Sequence, residues 1–222
     1  MRSSRSFPVP CLALVTDRTL CPDAPLWEKV AQAVAGGCNL VQLREKDLPA
    51  ADLLALAQRL QQALRQAQGG RALFLVNDRL DVALAAAADG IHLPEAGLPV
   101  VEARRIVGRD LIVGRAVHSA AEALRAQEEG ADYVQVGTIY PTRSHPNAVP
   151  AGPGLIQEMA RQVRIPILAV GGITAENVGE VMRAGAAGVA VISAILAAAS
   201  PQEAAAALWL AIQSTWAEAP RL

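Results

Sequence analysis

Short runs of consecutive apolar residues alternate along the chain with longer stretches in which apolar residues return every three or four positions. The runs at Leu12 to Val15, Leu73 to Val76, Leu111 to Val113 and Ile165 to Val170 are almost uninterrupted, the pattern of parallel strands buried on both faces. Between them, Leu53, Leu56, Leu60 and Leu64 form one helical stripe, and Val178, Val181 and Met182 another. Helix starts carry their own chemistry: Ser119-x-x-Glu122 reads as a capping box, and Ser200-Pro201-Gln202-Glu203 adds a proline at the first helical position.

A weak internal repeat organises these elements. A helix end runs through small residues into a short apolar strand at Gly37 to Val41, Ala88 to His92, Ala131 to Val134 and Ala186 to Val189. The spacing, about 50 residues, is too long for one strand-helix unit and suits two. Four such pairs make eight units. Strict β and α alternation with right-handed crossovers closes most economically as a single α/β domain, a (β/α)8 TIM barrel, with an open doubly wound sheet as the competing arrangement. The barrel is expected over residues 12–216, after a disordered leader at 1–11 and before a tail at 217–222.

Composition narrows the function. The 222 residues suffice for one such barrel and exclude two large domains. With 52% hydrophobic and 18% charged residues the chain can bury a sizeable core. Twenty Lys plus Arg against 21 Asp plus Glu leave a net charge of −1, so no overall field draws the protein to nucleic acid or an anionic membrane, and a small-molecule partner is expected. Cys11, Cys21 and Cys38 are odd in number and lack metal-ligand spacing, which fits a reducing cytoplasm. Arg2 and Arg5 ahead of the apolar run from Phe7 to Val15 imitate a secretory signal, but Pro8 and Pro10 break it and no small-residue cleavage site follows. No run is long and uncharged enough to cross a bilayer. The oligomeric state, a homo-oligomer included, stays open.

In a barrel of this type the chemistry sits where strands run into βα loops, and polar residues interrupt the apolar pattern there. At the second strand Gln42, Arg44 and Lys46 share a direction by the period-two rule. Their two cations suit a phosphate or carboxylate. The alternative is that they pair with Glu45 or Asp47. Asn77-Asp78 ends the third strand, and Asp78 alone makes a poor magnesium site. Thr138 and Thr142 follow the sixth strand, in a loop that continues through Arg143, Ser144 and His145. Gly171-Gly172 after the seventh strand and Ile192-Ser193 after the eighth each open a helix in this reading, the recurrent phosphate site of barrels. Of the three histidines, His92 falls in a strand-end turn and His145 in a Pro-flanked loop. His118 stands just before a capped helix and is the acid/base candidate, with an ordinary pKa that permits proton exchange near neutrality.

Gln42-Leu43-Arg44-Glu45-Lys46, Asn77-Asp78, Asp89-Gly90-Ile91-His92-Leu93, Gly137 to Thr142, Gly171-Gly172-Ile173 and Ile192 to Ile195 resemble the thiamin phosphate synthase superfamily, in order, over about Leu12 to Trp209. The resemblance implies a (β/α)8 barrel that joins a pyrimidine pyrophosphate to a thiazole phosphate with Mg²⁺. Three positions depart from the synthase pattern: Gly97 stands where that pattern has a second magnesium aspartate, Ala116 where it has a serine and His145 where it has a pyrophosphate lysine. His92-Leu93-Pro94 and Gly114-Arg115-Ala116-Val117-His118-Ser119 are instead similar to the TenI-type thiazole tautomerases of the same superfamily. That closer likeness implies a cofactor-independent isomerase that aromatises a thiazole carboxylate phosphate. His118 would move the proton, and Gly171, Gly172, Ile192 and Ser193 would hold the phosphate. Arg44 or Lys46 would steady the carboxylate, with Gln42, Asn77, Thr138 and Thr142 completing the substrate contacts. The alternatives are a Mg²⁺-dependent synthase with Asp78 at the metal, or a non-catalytic regulator that binds a thiamin precursor.

Overall fold

A computed structural model describes residues 6–67, 72–142 and 146–218. Parts of the expected leader and tail, and Arg143, Ser144 and His145, lie outside the described residues. Eight parallel strands close into a barrel in sequence order: β1 (Cys11–Val15), β2 (Leu40–Leu43), β3 (Leu73–Asn77), β4 (Gly90–Leu93), β5 (Ile112–Val117), β6 (Tyr133–Val136), β7 (Ile167–Val170) and β8 (Gly188–Val191). Helices alternate with them: α1 (Leu26–Ala35), α2 (Ala50–Gln66), α3 (Leu80–Ala85), α4 (Val100–Val107), α5 (Ala120–Glu128), α6 (Pro153–Ala160), α7 (Val178–Arg183), α8 (Ser193–Leu196) and α9 (Pro201–Glu218). The (β/α)8 barrel expected from the repeat is the observed fold.

Each strand divides its side chains between two cores. One face packs against the helix ring, where Val41, Leu43, Leu53 and Leu60 are buried. The other fills the barrel interior with Cys11, Ala13, Val15, Leu40, Leu75, Ile112, Tyr133 and Leu168. Burial of each aliphatic side chain contributes about 1.5–3 kcal/mol, so both faces of the strands are apolar below the cavity, which is why the strands read as nearly unbroken runs. Tyr133 is the bulkiest filler. A Cβ on Gly114 would lie 2.1 Å from its Cζ, so the glycine makes room for the ring. Phe7 stacks beneath it at a centroid distance of 4.5 Å.

The internal repeat has a physical basis. Asn39, Asp89 and Asp132 each precede an even-numbered strand and fasten the odd strand before it. The Asn39 side chain accepts from Leu12 N at 3.0 Å, Asp89 from Phe74 N at 2.8 Å and Asp132 from Val113 N at 2.7 Å. The backbone N–H groups of the same residues donate to Leu12, Phe74 and Val113 carbonyls. A polar residue at this point thus sets the register of each βαβ pair. Ala187, before β8, keeps only the backbone bond, to Ile167 O at 2.8 Å.

Two local expectations are corrected. His92 lies inside β4, 2% exposed, and not in a turn. The Gly171-Gly172 pair does not open a helix directly, since α7 begins at Val178. The intervening turn is tied by Asn177, whose Oδ1 accepts from Thr174 N and whose Nδ2 donates to Gly172 O, both at 2.9 Å.

Candidate active site

At the C-terminal ends of the strands the apolar interior gives way to a cavity of about 830 Å³. β2 carries Gln42 to its wall, and the chain past the strand's end at Leu43 brings Arg44 and, from the following turn, Lys46 to the same wall. Glu45, between them, turns outward and is 5% exposed. Its carboxylate accepts from Arg18 N at 3.1 Å and from the Arg18 guanidinium at 3.1 Å, while Asp47 takes the other side of that guanidinium. The two acids that could have neutralised Arg44 and Lys46 are therefore committed elsewhere.

Asn77 lines the next sector, and its Oδ1 accepts from Gln42 Nε2 at 3.2 Å. This fixes Gln42, itself 1% exposed, with its Oε1 buried and without a hydrogen-bond partner among the described residues. An unsatisfied buried acceptor costs about 1–3 kcal/mol. His92 follows. Burial, and then the nearby Arg115 and Arg44 charges, lower its pKa to about 3, so the ring is neutral across the physiological range. Its Nδ1 lies 3.0 Å from the Tyr133 hydroxyl.

His118 stands just after β5, the strand next to β4, and lines the cavity with its side chain half exposed. The capping box on α5 holds its backbone: Ser119 Oγ accepts from Glu122 N, and Glu122 Oε2 accepts from His118 N at 2.7 Å. Its Nδ1 donates to Gly137 O at 2.8 Å, which directs Nε2 toward Glu95 Oε2, 3.4 Å away. Arg115 pins the loop bearing Glu95 by donating to the carbonyls of Glu95 and Leu98.

Thr138 and Thr142 line the wall after β6. Gly171 and Gly172 have φ of +101° and +64°, and a Cβ on Gly172 would come within 2.5 Å of Pro141 O, so only glycine fits where these two loops touch. The backbone N–H groups of Gly172, Ile173, Ser193 and Ala194 have no hydrogen-bond partner among the described residues, and all four residues line the cavity, as does Ile192. Such a group of free amides is a ready anion cradle.

Asp78 is placed differently. It is exposed, has a φ of +65°, and does not line the cavity. Its Oδ1 lies 2.9 Å from where a Gly97 Cβ would be, so its neighbour across the loop carries no ligand atom. Among the described residues no cluster of three His, Cys, Asp or Glu could hold a metal. The residues present do not fit a divalent ion held by the protein itself.

Gln135 is a cavity residue that the sequence reading missed, while His92 and Glu95, polar residues at the fourth strand's end, were given no substrate contact there. His92 faces the cavity as the register partner of Asn77 across β3 and β4, a pairing that only the sheet shows. Glu95 lies in a loop and left no periodic signal.

A closed barrel with a polar cavity at the C-terminal strand ends defines a barrel enzyme. The family model for thiamine monophosphate synthase matches residues 12–195, and the chain belongs to that family. It is 45% identical over 207 residues to a thiamine-phosphate synthase of Chlorobium luteolum, covering 93% of this chain and 94% of that protein. To a thiamine-phosphate synthase of Methanospirillum hungatei it is 44% identical, covering 88% and 93%. A solved thiamine phosphate pyrophosphorylase from Pyrococcus furiosus superposes with a TM-score of 0.83 at 36% identity, over 92% of this chain and 96% of that one.

These relatives overturn the tautomerase reading. The likeness to the TenI branch rested on short segments, and the structure explains why those segments mislead. In Gly114 to Ser119 the glycine admits Tyr133, Arg115 pins a loop and Ser119 caps α5. Scaffold needs account for most of that motif, whereas the synthase likeness runs the length of the chain.

Proposed function

We propose that the protein is a thiamine-phosphate synthase, a transferase that joins a pyrimidine pyrophosphate to a thiazole phosphate. The observation that carries this reading inside the cavity is Gln42 Oε1, a buried acceptor with no hydrogen-bond partner among the described residues. It calls for a ligand that donates a hydrogen bond. The amino group of thiamine's pyrimidine is such a donor, whereas a thiazole carboxylate phosphate offers none. Asn77 keeps the amide turned the right way by accepting from its Nε2.

The two anionic substrates have distinct places. The free amides at Gly172, Ile173, Ser193 and Ala194 suit the single phosphate of the thiazole, with Gly171, Ile192, Thr138 and Thr142 shaping its surroundings. Arg44 and Lys46 suit the pyrophosphate, one as a planar fork and the other as a mobile point charge. A divalent ion used in the reaction would arrive mainly on the pyrophosphate, as Mg²⁺ commonly does. Holding both reactants in one cavity converts their encounter into an effectively intramolecular event.

The test is direct. Purified protein incubated with both substrates and Mg²⁺ forms thiamine phosphate, and Gln42→Leu raises the KM for the pyrimidine at least tenfold while leaving that for the thiazole phosphate nearly unchanged. Failure of the native protein to form product from the two substrates overturns the reading.

A further inference from the structure

The cavity holds one titratable group whose surroundings are built to manage a proton. Gly137 O can only accept, so His118 Nδ1 must carry a hydrogen. The carboxylate at 3.4 Å from Nε2 can also accept. Both partners are satisfied at once only when both ring nitrogens carry hydrogen. The backbone is clamped by Glu122, and the loop presenting Glu95 is clamped by Arg115, so the geometry does not depend on a mobile segment. The exposed side of the ring gives solvent a route to restore the proton.

A second observation says what that proton would serve. When the pyrophosphate departs, negative charge builds on the oxygen that leaves. Neutralisation of such charge by a fixed group is worth several kcal/mol in barrier. The residues present do not fit a metal held by the protein, since Asp78 stands beside Gly97 and outside the cavity wall. Among the described residues, the cations that face the cavity are Arg44 and Lys46, both from the β2 end. His118 reaches it from the β5 side.

We propose that His118, held by Gly137 O and Glu95, is the catalytic acid that protonates the departing pyrophosphate. The inference rests on the synthase reading. The bond between the pyrimidine methylene and the pyrophosphate oxygen breaks, and its electron pair stays on that oxygen. The oxygen takes the proton from His118 Nε2, and the lone pair of the thiazole nitrogen forms the new bond to the methylene carbon. Neutral His118 then regains a proton from water. Among the described residues the charged or titratable groups around it are Glu95 from the β4 loop, Glu122 on α5, Arg115 on β5, His92 on the neighbouring β4 and, from the β2 end, Arg44 and Lys46.

Steady-state kinetics of the full chain with both substrates and saturating Mg²⁺, measured from pH 6 to pH 9, test the proposal. Native kcat falls as pH rises and the acid is lost. His118→Asn lowers kcat by about 10²–10⁴, flattens that alkaline limb, and leaves the KM for thiazole phosphate within about threefold of native. Glu95→Gln, which removes the carboxylate facing Nε2, lowers kcat while leaving the KM for thiazole phosphate near native, a split that a purely structural role would not produce. Circular dichroism and calorimetric binding of thiazole phosphate confirm that each variant is folded. Product formed by native protein, with His118→Asn retaining either near-native kcat or the native alkaline limb, overturns this proposal alone. If native protein forms no product at any pH, the synthase reading fails and this proposal with it.

Discussion

Glu45 and Arg18 are joined twice, through the Arg18 backbone N–H and through its guanidinium, each at 3.1 Å. This one pairing decides the electrostatics of the cavity. It draws the buried carboxylate of β2's extension away from Arg44 and Lys46 and leaves both cations to face the substrate side.

Removal of the Glu45 carboxylate should therefore matter more than removal of its exposed companion. Glu45→Ala is expected to lower stability by about 1–3 kcal/mol, because it strands a backbone donor and half of a guanidinium. Asp47→Asn, at an exposed site, should cost less than about 1 kcal/mol. Urea denaturation of the three proteins measures both values, and equal losses would contradict the assignment.

His92 predicts an acid-linked loss of stability. Its folded pKa is lowered to about 3 by burial and by Arg115 and Arg44, against about 6.5 in an unfolded chain. The unfolded state binds the proton first, so stability is whole above about pH 6.5 and falls as pH drops toward 3, by roughly 3 kcal/mol at pH 4. His92→Gln should show a shallower fall between pH 7 and pH 4 in thermal unfolding. An unchanged slope would show that the ring does not resist protonation.

Gly114→Ala should be among the most damaging small substitutions in the barrel, because the new methyl would meet the Tyr133 ring carbon at 2.1 Å. Overpacking of this kind costs about 1–3 kcal/mol or more. The double variant Gly114→Ala with Tyr133→Leu should recover much of the loss. Chemical denaturation gives both values, and no recovery would place the strain elsewhere.

Gly97→Asp should create what the native loop lacks. The new carboxylate would stand next to Asp78, whose flexible Oδ1 lies 2.9 Å from the added Cβ, so the two acids can share an ion. Calorimetric titration with Mg²⁺ in the absence of substrate should show binding for the variant and none for the native chain. Adding Asp78→Asn should abolish it. Native binding as strong as the variant's would mean that a second ligand is already in place.

Gly172→Ala should separate phosphate affinity from fold. The residue sits at φ +64° with Pro141 O where a Cβ would be, so the substitution displaces the amide cradle. The KM for thiazole phosphate is expected to rise at least tenfold, while the KM for the pyrimidine changes little. Parallel losses for both substrates would argue against separate anion sites.

The barrel was legible because both of its cores demand apolar residues on every strand, and because Asn39, Asp89 and Asp132 repeat at one structural point. Strand periodicity pointed Gln42 and Arg44 to one wall, whereas Lys46 reaches it from the turn beyond β2. The chemistry was less legible. Gly114 to Ser119 looked functional, yet the roles of Gly114, Arg115 and Ser119 are largely those of scaffold.

Sequence by itself thus determined the alternation, the strand directions of the polar residues and the glycines at the seventh strand's end, since these obey local geometry. Only the tertiary structure decided that Glu45 belongs to Arg18, that His92 lies against Tyr133 and that Glu95 meets His118. Each of those contacts joins segments 27, 41 or, for the last, some two dozen residues apart, and periodicity within a single element carries no information about which distant loop will face it.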